Sequence, residues 1–174
     1  MTSVENIISK ANELTEYQTV LILGGEPFAY PHLTELLKGL QKREIYITTN
    51  GGSFGNIDVT EISPYISGIN ISIHSFLEEE NNRILQTQIP FETLKQYVDQ
   101  FQSNGVPVRF NTILLNAGIN TKEKMHKMLA FAKSMGVNWI RFSELQFENE
   151  GFVYAKNVFD GIHDDPYTDG CNQN

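Results

Sequence analysis

The 174-residue chain is 40 % hydrophobic and has a formal net charge of -8, with 21 acidic side chains against 13 Lys and Arg. Such an excess of negative charge repels phosphate backbones and anionic lipid, so nucleic acid and the membrane surface are excluded as expected partners. No apolar run approaches the ~20 residues of a spanning helix, and Met1 to Leu14 carries Glu5, Lys10 and Glu13 instead of the continuous apolar core of an export signal. One compact cytoplasmic domain is expected. The single cysteine, Cys171, forbids an intrachain disulfide or a multi-cysteine metal site built from this chain alone.

In chain order, Ile7, Ile8, Ala11 and Leu14 mark a first helix, expected over Val4 to Leu14. A β-rich run from Thr19 to Leu23 follows and leads into Gly24-Gly25-Glu26-Pro27. Two residues without Cβ let a ligand approach the backbone, Pro27 fixes the turn, and carbonyls with one carboxylate suit an ammonium group. On its own the tetrapeptide reads equally as a tight turn. Leu33, Leu36, Leu37 and Leu40 form the next helix face, with Arg43 near its end.

The second strand, Glu44 to Thr49, ends in Thr48-Thr49-Asn50-Gly51-Gly52. In the third, Gly68 to Ile73, isoleucines alternate with Asn70, Ser72 and His74; one face packs on helices and the other points polar groups inward. A buried polar file needs partners, and a hydrogen-bonded structural histidine is the expectation for His74. Leu94, Tyr97, Val98 and Phe101 mark another helix, followed by a strand over Val108 to Leu115 that carries Arg109 and Asn111. Arg109 is expected to close a structural ion pair. Gly118 lies in a loop, Thr121 caps a helix over Lys122 to Met135, and a last strand, Trp139 to Phe142, delivers Arg141, Ser143 and Glu144. Beyond Glu148 the periodic pattern gives way to Gly, Asp and Asn, so residues 1–148 form the expected domain and 149–174 an irregular tail. His32, His126 and His163 receive no role.

Strands alternating with helices imply βαβ units and a mainly parallel sheet. A complete eight-stranded barrel needs ~250 residues, so this length supports an α/β fold with a partial parallel barrel or an open sheet. Ligands gather at the carboxyl ends of such strands, where Glu26, Thr49, Ser72 and Asn111 are all expected to meet.

Taken in order, LILGGEP, IYITTNG, INISIHS, VRFNTILLNAGIN and IRFSEL resemble the radical S-adenosylmethionine (SAM) superfamily, particularly the branch of the molybdenum-cofactor A protein and peptide-modifying relatives. The resemblance spans Thr19 to Leu145 and implies a partial radical SAM barrel missing its first strand. It implies that Gly24, Gly25 and Glu26 recognise the methionyl ammonium of SAM, and that Thr49 and Ser72 approach its carboxylate and ribose. By the same resemblance Asn111 contacts the ribose, the loop Leu115 to Gly118 packs beside adenine, and the strand Ile140 to Phe142, with Arg141, recognises it. The family's CxxxCxxC motif, which holds a 4Fe-4S cluster, is not in this sequence. The chain is therefore expected to begin after that motif and, without the cluster, to bind SAM but not cleave it.

The substrate, a small molecule or a peptide, is not legible. A cluster-bearing second chain, or self-association through the open edge left beside Thr19 to Leu23, are the expected protein partners. Two rivals remain. A metal-dependent aldolase-like barrel would use Glu26, His74 and Glu144; its Schiff-base counterpart fails because no lysine ends a strand. The other is a non-catalytic scaffold or binding module.

Overall fold

The computed structural model describes residues 3–42, 44–146 and 149–160. Five strands, β1 (Thr19–Ile22), β2 (Glu44–Thr49), β3 (Gly68–Ser72), β4 (Val108–Ile113) and β5 (Trp139–Ser143), form one sheet in the order β1-β2-β3-β4-β5. Every neighbouring pair is parallel. Chain order and spatial order coincide without the reversal of a doubly wound sheet, which is how a barrel winds. β1 and β5 are the two edges, so the sheet is an unclosed partial barrel.

Seven helices accompany the strands among the described residues: α1 (Val4–Glu13), α2 (Leu33–Gly39), α3 (Val59–Ile62), α4 (Glu78–Leu85), α5 (Phe91–Ser103), α6 (Lys122–Ser134) and α7 (Ala155–Phe159). Side-chain caps set several of their starts. Ser3 accepts from Asn6 N at α1, Asp58 from Thr60 N at α3, and Thr121 from Lys124 N at α6.

Alternation along the strands sorts the residues. Ile45, Ile47, Ile69, Ile71, Val108 and Phe110 are buried on one face, among Leu94, Val98 and Phe101 of α5 and Met125 and Met128 of α6. Each large apolar side chain so buried contributes about 1.5–3 kcal/mol. The opposite, concave face carries Tyr46, Thr48, Asn70, Ser72, Arg109, Asn111, Trp139 and Arg141, and it leads to the site.

Three departures from the sequence reading have physical causes. β4 ends at Ile113 instead of Leu115, because Leu114 and Leu115 leave the ladder for isolated bridges to Ile119 and Phe152. α4 lacks an apolar periodicity because its fully buried residue is polar: Asn81 Oδ1 accepts from His74 N at 2.8 Å. Residues 155–159, in the stretch expected to be irregular, form α7, whose Val158 is fully buried. Arg43, Glu148, His163 and Cys171 lie outside the described residues. No helix among the described residues is long and apolar enough to cross a membrane.

Candidate functional site

At the carboxyl end of β1 the chain turns through Gly24 (φ +95°) and Gly25 (φ +53°), conformations that L side chains rarely adopt. A Cβ built on either glycine meets nothing within 4 Å, so the turn faces open space. Pro27 then opens a short 3-10 turn, Pro27–Ala29, with Glu26 as its N-cap. The Glu26 carboxylate does three things at once. Oε1 accepts from Phe28 N (3.0 Å) and from Thr49 Oγ1 (2.6 Å), and Oε2 accepts from Asn50 N (2.8 Å). A carboxylate offers about four lone-pair sites, so one, on Oε2, has no hydrogen-bond donor among the described residues.

Thr49 reaches the same rim differently from the other residues named with it. By alternation it lies with Ile45 and Ile47 on the helix-covered face, in register with Ile71, and is 2 % exposed. Its hydroxyl donates to Glu26 and accepts from Gly51 N at 2.9 Å, joining the ends of β1 and β2. Thr48, not Thr49, occupies the concave face, where it accepts from Asn70 Nδ2 at 3.1 Å. Thr48 was legible from parity alone, since a residue next to one on the helix side must face inward.

Ser72, Asn111 and Arg141 form one row across three strands, through the registers Ser72↔Asn111 and Asn111↔Arg141. Asn111 Oδ1 is buried and without a hydrogen-bond partner. One row below, Arg109 stacks on Trp139, its guanidinium carbon 4.9 Å from the ring centroid, and its Nε is buried without a partner. The expected ion pair of Arg109 is absent among the described residues. Burial first, and the Arg141 charge second, push its pKa down.

His74 behaves as the structural histidine anticipated. It is 7 % exposed, its backbone N–H is taken by Asn81, and Nδ1 accepts from Ile113 N at 3.2 Å. Burial lowers its pKa to about 4, so the ring is neutral at physiological pH. Glu144 accepts from Ala155 N at 2.6 Å, at the start of α7. Glu26, His74 and Glu144 do not come together as a metal site: no three His, Cys, Asp or Glu side chains gather for a metal among the described residues.

After β4 comes a rim loop, Leu114 to Gly118. Leu115 N donates to Ile119 O and Gly118 N to Leu115 O, closing the loop on itself. Gly118 is required here, because a Cβ would stand 2.4 Å from the His74 carbonyl oxygen. The loop is thus pressed against the end of β3.

Residues 1–132 match the model of the radical SAM superfamily. This chain belongs to that superfamily. A relative described as a probable GTP 3',8-cyclase, from Saccharolobus islandicus, is 23 % identical over 142 residues, covering 80 % of this chain and 45 % of the relative. Among solved structures, Streptococcus suis SuiB bound to its precursor peptide SuiA superposes with a TM-score of 0.64 at 17 % identity, over 81 % of this chain and 32 % of SuiB. SuiB bound to S-adenosylmethionine gives 0.63 at 18 % identity, over 83 % and 35 %. These structural likenesses show the fold. The radical SAM chain described here spans less than half the length of the curated relative it matches.

The superfamily implies SAM and a 4Fe-4S cluster, and the residues present fit the two unequally. For SAM they fit: an open glycine turn, a carboxylate with one free acceptor site and an orphaned Asn111 Oδ1 share one rim. For the cluster they do not, since the sequence holds one cysteine and the described residues gather no alternative ligand set.

Proposed function

We propose that this chain is the SAM-binding portion of a radical SAM enzyme, and that on its own it binds SAM without cleaving it. The carrying observation is the Glu26 carboxylate, fixed by three donors from two strand ends and left with one free acceptor site beside an open glycine turn. A carboxylate already immobilised loses little entropy on meeting an ammonium, and a charge-assisted bond of this kind is worth about 1.5–3 kcal/mol.

Each residue then has its task. Gly24 and Gly25 let the methionyl end approach the backbone, and Glu26 accepts from its ammonium. Thr49 holds Glu26 in place rather than touching ligand. Ser72 and Asn111, paired in register, face the middle of the ligand, where Asn111 Oδ1 would gain from a ribose hydroxyl the donor it lacks. Arg141 flanks this row on β5. A complete radical SAM enzyme would need a 4Fe-4S cluster, for which the described residues gather no ligand set, to supply the electron for cleavage of SAM to a 5′-deoxyadenosyl radical and hydrogen abstraction. The Saccharolobus islandicus relative is named for GTP, whereas SuiB is bound to a precursor peptide.

The test is anaerobic incubation of the 174-residue chain with SAM and dithionite after attempted iron–sulfur reconstitution. The expected result is retained SAM, no 5′-deoxyadenosine and no cluster absorption. Production of 5′-deoxyadenosine would overturn the claim that this chain lacks its own redox centre.

A further inference from the structure

The segment after β5 returns across the carboxyl rim and fastens the loop that follows β4. Asn116 N donates to Gly151 O at 3.0 Å, Asn116 Nδ2 donates to Glu150 O at 2.7 Å, and Leu115 forms an antiparallel bridge with Phe152. The segment is itself anchored. Val153 and Val158 are buried, Phe159 meets Phe142 of β5 edge-on at 5.5 Å, Ala155 N donates to Glu144, and Lys122 Nζ donates to Asp160 O. On its other side the loop is stopped by the His74 carbonyl against Gly118.

The loop begins three residues after Asn111, whose Oδ1 awaits a donor. Strand spacing puts the β4 end about 14 Å from the β1 end along the sheet. A ligand about as long as that separation, held by Glu26 at one end, would reach this loop with its other end. Resting on the SAM-binding reading above, we propose that residues 149–160 are a binding element: they hold loop 114–118 as the wall against which the nucleoside end of the ligand is placed, with Asn116 as the positioning residue. Asn116 is exposed and need not touch ligand; its two hydrogen bonds fix the loop.

The full chain serves for the test, by equilibrium dialysis with SAM and with 5′-methylthioadenosine, which lacks the amino-acid end. Asn116→Asp keeps the shape but removes the donor to Glu150 O, and Phe152→Ala removes the bridge side chain. Both variants should bind SAM and 5′-methylthioadenosine about five- to tenfold more weakly, while ligand-free Asn116→Asp melts as the wild type does. Glu26→Ala, as reference, should weaken SAM and leave 5′-methylthioadenosine unchanged. Unchanged affinity for both ligands in both variants, loss for SAM alone, or losses that merely follow a lowered melting temperature would overturn the inference. A wild-type chain that binds no SAM would instead remove the proposed function, and this inference with it.

Discussion

At the β1–β2 side of the rim the protein satisfies its own polar groups: Glu26, Thr49, Asn50 and Gly51 are knitted into one network. At the β4–β5 side Asn111 Oδ1 and Arg109 Nε are buried with no partner, and Arg141 adds like charge instead of relief. The first side is cross-linked by hydrogen bonds before any ligand arrives, whereas the second carries the desolvation cost of two buried polar atoms without partners. The contrast teaches where the fold supplies geometry and where it awaits chemistry.

The attachment of the loop after β4 to the end of β3 should show the largest effect. Gly118→Ala forces a Cβ to 2.4 Å from the His74 carbonyl, a backbone atom that cannot swing away. We expect a loss of about 3 kcal/mol or more in chemical denaturation; a near-neutral result would mean that loop and β3 end are not firmly joined. His74 gives a comparable effect through pH. Its folded pKa of about 4 lies below the ordinary 6.5, so the folded state binds the proton less readily than the unfolded chain. Stability attributable to it is complete above pH 6.5 and falls as pH drops from there towards 4, by roughly 3 kcal/mol in all. The pH dependence of a His74→Gln variant should be shallower over that window.

Two substitutions set the sides directly against each other. Thr49→Val keeps shape but strips a hydrogen bond from a carboxylate, and should cost about 1.5–3 kcal/mol. Asn111→Leu removes an acceptor that has no donor, and should change stability by less than about 1 kcal/mol in either direction. Equal losses in urea denaturation would erase the distinction between a satisfied and an unsatisfied side.

Much of this arrangement was legible in the sequence because it depends on periodicity. The alternation Ile69, Ile71, Ile73 against Asn70 and Ser72 gave the two faces of β3, and the strand–helix succession gave the parallel order. The orientation of Thr49 was available by the same parity with Ile45 and Ile47, but proximity to the rim obscured it. Asn81 hid α4, since a polar residue at the buried position breaks the apolar pattern. The grip of Gly151 and Phe152 on Asn116 was invisible, because an antiparallel bridge between two irregular segments leaves no repeat. The missing partners of Asn111 and Arg109 were likewise unreadable, since satisfaction is a property of the packed neighbourhood and not of the residue.

The central claim is that Glu26 presents one free acceptor site to the ammonium of SAM. Calorimetric titration of SAM into the wild-type chain and into Glu26→Ala tests it most directly. Saturable single-site binding to the wild type is expected, weakened roughly 10- to 150-fold in the variant, the equivalent of about 1.5–3 kcal/mol. Equal affinity in the two proteins, with both folded, would contradict it.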